Sequence, residues 1–171
     1  MSFVIARFDP MLKYAGFNQF DCQHPLINKF VKTSLKQQVK KGLSIAYVLL
    51  AESESADVDR FVGFYTIANH SIPLSALVNI QAESLPKIIP CARLIMLGID
   101  VSDAKKGLGS QLMNHAFDVV KMSASSMGCY GLYLDADAGA IQFYKKLGFV
   151  LLEGEKTPNP SPMFIPLSAI P

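Results

Sequence analysis

The amino-acid sequence predicts an α/β protein, a sandwich built on a mixed sheet flanked by helices. Three observations carry that prediction. Strand-like stretches fill much of the first half of the chain, and the second half then reads strand, helix, strand, helix, strand. Between the halves, an apolar run ending at Ile99 passes through Gly107-Leu108-Gly109-Ser110 into a segment with apolar residues at helical spacing. The length of 171 residues and the 50% apolar content supply a substantial core, so 1–171 is read as a single domain. No internal repeat is visible.

Taken in order, Phe3, Ile5 and Phe8 alternate as in a short strand before the turn signals Pro10 and Gly16. From 21 to 42 the chain reads as helical after Pro25, with Val31, Leu35 and Val39 four apart and Gly42 as the stop. At about 100° per residue, Lys29, Lys32, Lys36 and Lys40 fall on one narrow arc of that helix. Two readings of the arc stand: a solvated face, or a basic stripe aimed at an RNA backbone. Strands are predicted over 44–51 and 60–68, the second containing Gly63, with the polar, acidic stretch 52–59 as the loop between them. The segment 71–90 is punctuated by Pro73, Pro86 and Pro90 yet carries Ile72, Leu74, Leu77, Val78 and Ile80, so it packs across the domain or meets a partner; packing is the favoured reading.

A buried strand is predicted over 94–99, then a polar stretch over 100–106. The helix after it, about 109–127, buries Leu112, Met113, Ala116, Val119, Val120 and Ala124 and ends at Gly128. A strand over 130–134, an N-cap at Asp137, a helix over 138–147 closed by Gly148, and strands over 149–152 and 163–167 complete the chain.

Composition narrows the function classes. The net charge of +2 does not by itself point to nucleic acid. No apolar run approaches the roughly 20 residues of a membrane span, and Arg7, Asp9 and Pro10 interrupt any leader peptide, so a cytoplasmic protein without a membrane role is expected. Cys22, Cys91 and Cys129 are odd in number, far apart and without ligand spacing to a histidine, which predicts reduced thiols and no metal site.

The strand, glycine turn and helix start at 94–112 together form a potential anion site. The first N–H groups of a helix have no partner within it, the macrodipole adds partial positive charge, and glycine lets a phosphate approach the backbone. Lys105 and Lys106 add two full charges. On these residues alone, a phosphate site and a plain tight turn remain equal readings. A second motif, AIQFYKKLGF at 140–149, follows at a fixed interval.

Read together, the loop Ala104-Lys105-Lys106-Gly107-Leu108-Gly109 and the FYKKLGF helix resemble the GNAT superfamily of acetyl-CoA-dependent N-acyltransferases, in which an R/Q-x-x-G-x-G/A loop and an A-x-x-F-Y-x-x-x-G-F helix occur in this order. Ala104 departs from the Arg or Gln that opens the loop. Within that superfamily the chain is most similar to TacT-like toxins of bacterial toxin–antitoxin pairs, through FDCQHPLINKFVKTSLKQQVKKG, FVGFYTIANHSI, the strand region at 90–100 and the two motifs. The resemblance implies a GNAT fold with a mixed, mostly antiparallel sheet, and acetylation of the α-amino group of aminoacyl-tRNA with acetyl-CoA as co-substrate. It implies a ribbon-helix-helix antitoxin as partner and a homodimer.

For the site, the resemblance implies that backbone groups of Leu97, Gly98 and Ile99 hold the acetyl and pantetheine arm, and that Lys105, Lys106, Gly107, Leu108, Gly109 and Ser110 hold the pyrophosphate. Tyr144 is implied as the general acid that protonates the departing thiolate. Phe143 reads as a buried helix aromatic, and the resemblance adds it to the cofactor-binding set. Lys145 and Lys146 would join the lysine arc in flanking RNA. No general base is evident. An α-amino group near pKa 8 is already partly neutral and needs only a weak base or a water. His24, His70 and His115 read as surface or capping residues, and His70 is the one to test because it follows a core strand. Two further readings remain: a GNAT enzyme acting on a small amine or protein N-terminus, and a CoA-binding module without turnover. A Cys91 or Cys129 acyl-enzyme is disfavoured, since neither cysteine adjoins a base.

Overall fold

The computed structural model describes residues 2–55, 57–80 and 84–171. The strands are β1 (Phe3–Arg7), β2 (Ile45–Ala51), β3 (Arg60–Pro73), β4 (Ile88–Ile99), β5 (Gly131–Ala136), β6 (Val150–Leu151) and β7 (Ser161–Pro166). The helices are α1 (Pro25–Thr33), α2 (Leu35–Lys40), α3 (Leu108–Ser126) and α4 (Ile141–Lys146). The strands form a seven-stranded, mostly antiparallel sheet in the order β1-β2-β3-β4-β5-β7-β6, the α/β class the sequence predicts. The chain divides into two compact units, Met1–Ala68 with Met96–His115, and Asn69–Ile95 with Ala116–Pro171.

In the first unit β1 and β2 pair antiparallel, Phe3 opposite Ala51 and Arg7 opposite Tyr47, and β2 pairs antiparallel with β3 with a register shift at Leu49/Leu50. The core on one side of these strands is aromatic: Phe8, Phe20, Phe61 and Phe64 pack with Val31, Leu35 and Val48, and Phe20 meets Phe61 edge-on at 5.2 Å. Gly63 is dictated by closeness. A Cβ there would sit 2.8 Å from the Gly98 carbonyl oxygen and 2.6 Å from Ile99 Cδ1, so only glycine lets β3 approach the end of β4.

The helix expected over 21–42 is two helices. Ser34 stands between them at φ −127°, ψ −31°, and Thr33 Oγ1 donates to the Lys29 carbonyl at 2.8 Å. Paired hydroxyls at 33 and 34 offer the backbone alternatives to the helical ladder, and the helix breaks there. His24 caps α1, its Nδ1 accepting from the Ile27 N–H at 3.4 Å, as expected of a capping residue. His115 is a correction. Instead of lying at the surface or a cap, it is half-buried, with Nδ1 2.7 Å from the Tyr65 hydroxyl and its ring 4.6 Å from that of Tyr47. Its partners lie on β2 and β3, far away in sequence, and no local spacing reveals them.

In the second unit β4 and β5 run parallel, Ala92 opposite Leu132 and Arg93 opposite Tyr133, while β7 is antiparallel to both β5 and β6. Ile72, Leu77, Ile89, Cys91, Leu152 and Phe164 form a core with Leu74, Ile80 and Leu85 against it. The described part of 71–90 therefore packs, as favoured, although Val78 stays 67% exposed; residues 81–83 of that segment lie outside the described residues. Strand β3 continues to Pro73 instead of ending at Ala68, because the polar run Asn69-His70-Ser71 conceals a continuing alternation in which Ile72 is buried. Among the described residues no helix is long and apolar enough to cross a membrane.

Candidate functional site

The loop at 100–109 is organised by two aspartates. The Asp100 carboxylate accepts from the Ser102 N–H at 3.0 Å, the Ser102 hydroxyl at 2.7 Å and the Asp21 N–H at 3.1 Å, which fixes the exit from β4. One 3-10 turn later Asp103 is only 2% exposed. Arg60, at the start of β3, grips it with both terminal nitrogens, Nη1 to Oδ2 at 2.9 Å and Nη2 to Oδ1 at 3.3 Å. Lys106 Nζ adds a contact at 3.0 Å and the Ser102 hydroxyl one at 3.1 Å. The Arg60 guanidinium, ahead of Lys106 and Ser102, holds the Asp103 carboxyl at about 2, below the usual carboxylate range.

With its base pinned, the loop turns through two left-handed residues, Lys105 at φ +63° and Gly107 at φ +74°, and α3 begins at Leu108. A Cβ built on Gly107 would meet nothing within 4 Å among the described residues, so the ground before the helix start is open, as a phosphate cradle requires. Lys105 is exposed. Lys106, expected as a second charge for the anion, pairs with Asp103 while its side chain stays 49% exposed, and its ammonium lies 5.9 Å above the Phe3 ring. Leu108 is buried, and Gly109 and Ser110 are half-buried. Sequence reasoning missed Arg60 and Asp103. An acid directly before the glycine loop was the available signal, but its partner lies 43 positions earlier.

Leu97, Gly98 and Ile99 are the last residues of β4. Gly98 is buried against α1 and its approach, since a Cβ there would lie 3.3 Å from Cys22 Sγ and 3.2 Å from Ile27 Cγ2; Leu97 and Ile99 are half-buried. Just before and after them, the Met96 N–H donates to Thr66 Oγ1 at 3.2 Å and the Asp100 N–H to the Val62 carbonyl at 2.7 Å. Lys29, Lys32, Lys36 and Lys40 are all exposed, but the break at Ser34 distributes them two to each helix, and Lys36 Nζ lies 4.9 Å over the Phe17 ring.

In the second unit Tyr144 sits on α4, 8% exposed, edge-on to Phe149 at 5.5 Å and to the half-buried Phe143 at 5.1 Å. Burial, followed by the Asp137 carboxylate, pushes its phenol well above the usual tyrosine value. Gly148 at φ +104° closes the turn, with the Phe149 N–H returning to the Tyr144 carbonyl at 3.1 Å. Lys145 and Lys146 stand in the last turn of α4, both exposed. The three cysteines are free, and burial raises each thiol, that of Cys91 to about 12, which keeps them protonated and poorly suited to an acyl-enzyme role.

Comparison with known proteins agrees with this arrangement of motifs. Residues 44–151 match the acetyltransferase (GNAT) domain family. Among solved structures, the chain is similar to a bacterial toxin at 31% identity, covering 98% of this chain and 92% of that one, with a TM-score of 0.90. It is similar to the toxin AtaT complexed with acetyl-methionyl-tRNAfMet, at 29% identity over 98% and 96% of the two chains and a TM-score of 0.84. A tyrosine-to-phenylalanine variant of AtaT, bound to the C-terminus of the antitoxin AtaR and to acetyl-CoA, matches at 28% identity over 98% and 94% with a TM-score of 0.79. An acetyltransferase domain spanning most of the chain, carried on a seven-stranded α/β sheet, means that this protein belongs to the GNAT family of acetyltransferases.

Proposed function

We propose that the protein is a toxin that transfers acetyl from acetyl-CoA to the α-amino group of aminoacyl-tRNA and so blocks translation. The observation that carries this reading is the similarity, over nearly the full length of both chains, to AtaT in complex with acetyl-methionyl-tRNAfMet. Acetyl-CoA would supply the activated acetyl group. Leu97, Gly98 and Ile99 would hold the acyl and pantetheine arm through their backbone groups, and Lys105 to Ser110 would hold the pyrophosphate. The open ground at Gly107 and the exposed Lys105 support that assignment. Phe143 would add an apolar wall.

Tyr144 would donate its proton to the sulfur that departs when the amine attacks the thioester. Its raised pKa keeps that proton in place at neutral pH, as a donor needs. Because a thiol near 8.5 is the stronger acid, the transfer is uphill, and much of the tyrosine's contribution is the hydrogen bond it gives to developing negative charge. The acceptor amine, near pKa 8, supplies its own neutral fraction without a strong base. Lys29, Lys32, Lys36, Lys40, Lys145 and Lys146, none of them buried, would flank the RNA. The same reading makes the protein a cytoplasmic homodimer held silent by a ribbon-helix-helix antitoxin; the binding of AtaT to the antitoxin AtaR supports such a partner.

The test is a transfer assay with labelled acetyl-CoA and a full panel of charged tRNAs. The expected result is acetylated aminoacyl-tRNA from at least one member. Labelling of small amines or peptide N-termini without any charged tRNA would replace this reading with that of a general N-acetyltransferase.

A further inference from the structure

Outside the loop and the Tyr144 turn, three neighbouring strands of the second unit bring together four side chains that the acetyl-transfer chemistry does not use: His70 on β3, Arg93 on β4, and Tyr133 and Asp135 on β5. The His70 and Tyr133 rings lie 5.1 Å apart, centroid to centroid, at 39°, and the Arg93 guanidinium is 5.9 Å from the Tyr133 ring. Asp135 is clasped from two sides, by Arg93 Nη2 at 3.1 Å and by the Tyr133 hydroxyl at 2.9 Å. Arg93 Nε, however, is buried and has no acceptor among the described residues. The rest of the side chain, 39% exposed, carries further guanidinium N–H donors that an incoming acceptor can reach.

We infer that His70, Tyr133 and Arg93 form a subsite for one unpaired nucleotide of single-stranded RNA, the base lying on the two rings and a phosphate or ribose oxygen accepting from the Arg93 guanidinium. Each component fits that chemistry. Single-stranded RNA is bound by stacking splayed bases on aromatic side chains and guanidinium planes. The Asp135 carboxylate balances the arginine charge, so the patch is unsuited to holding a bare anion by charge alone and favours a ligand that also presents a flat face. Burial, with Arg93 reinforcing it, lowers the His70 pKa and keeps its ring a neutral platform with one donor and one acceptor. Tyr133 is pushed up to about 12 by burial and by Asp135, so its hydroxyl stays a donor to that carboxylate. The inference rests on the aminoacyl-tRNA reading for its biological ligand, since a charged tRNA presents its amine on a single-stranded 3′ end.

The experiment titrates the full-length protein into a fluorescein-labelled RNA tetranucleotide, ACCA, and follows anisotropy for wild type, Arg93→Gln and His70→Ala. Wild type should bind, and each variant should weaken binding roughly tenfold, in line with the loss of one stacked base, while acetyl-CoA affinity stays at the wild-type level and reports an intact fold. His70→Ala, at a half-exposed position, keeps the test open if Arg93→Gln fails to fold. Absence of binding by wild type, or equal binding by all three proteins, overturns the subsite. In steady-state transfer to charged tRNA, the same variants should raise KM for the tRNA about tenfold and leave KM for acetyl-CoA unchanged. A wild-type enzyme that acetylates no charged tRNA but binds the tetranucleotide through these residues refutes the toxin reading and leaves the subsite standing; acetylation of charged tRNA with no variant effect does the reverse.

Discussion

Around residues 100–109 the chain is held by charge, with a nearly inaccessible Asp103 gripped by Arg60 and Lys106 under a loop that is itself largely exposed. Around Tyr144 it is held by packing, with a phenol pressed between Phe143 and Phe149 on a helix of six residues. The difference follows from the task proposed for each region. A loop that must present bare N–H groups to a phosphate cannot be buried, so its shape has to be enforced from below by directional ion pairs. A proton donor needs a fixed position and an unionised state, and burial supplies both.

That contrast can be broken at either end. The largest effect should come from Tyr144→Phe, which preserves the packing and removes the proton: kcat should fall by about 10²- to 10⁴-fold, with melting temperature and acetyl-CoA KM close to wild type. In the wild type, log kcat should rise with pH as the acceptor amine deprotonates near 8, with no downturn from tyrosine ionisation below about pH 10, because the Tyr144 pKa is raised. A bell-shaped profile whose alkaline limb begins below the ordinary tyrosine value would contradict the burial argument.

Asp103→Asn should come next. Removing the buried charge releases Arg60 and Lys106 together, and the expected loss is about 2 kcal/mol of stability at pH 7, with a roughly tenfold rise in acetyl-CoA KM and little change in kcat. The sign with pH is fixed by the depressed carboxyl. Its stabilisation is complete above the unfolded value near 4 and is lost as pH falls from about 4 to about 2. Denaturant unfolding measured across that window should show a wild-type slope that the Asn variant lacks.

Arg60→Lys should cost less, at most about 1 kcal/mol, since it keeps the charge and gives up the two-pronged grip. The smallest effect is expected from replacing Lys32 and Lys36 with Gln. Stability should hold, and the salt dependence of the tRNA KM should flatten by somewhat under one logarithmic unit for each phosphate no longer neutralised. An unchanged salt slope would make the lysines a solvated face only.

Which parts of the molecule can be read in the sequence follows from the same contrast. The strand, glycine turn and helix of 94–112 and the FYKKLGF turn are local patterns, written in contiguous residues, and the element order built on them is enough for the α/β class. The pairing of Arg60 with Asp103, and of His115 with Tyr65, joins positions 43 and 50 apart, and no period or spacing in the chain encodes such a meeting. The helix break at Ser34 is legible in principle, since Thr33 and Ser34 are poor helix residues side by side, but the four-residue rhythm of Val31, Leu35 and Val39 outweighs them. The end of β3 is hidden by polar residues that extend an otherwise apolar strand, and those residues include His70 of the inferred nucleotide subsite.

Acetylation of aminoacyl-tRNA by this GNAT protein, with Tyr144 as the proton donor, is tested most directly by incubating wild type and Tyr144→Phe with labelled acetyl-CoA and a complete set of charged tRNAs, then counting label on the amino acid released from the tRNA. Label on at least one aminoacyl group with wild type, reduced at least about a hundredfold in the variant, is the expected result. No label on any charged tRNA, or equal label with both proteins, would contradict it.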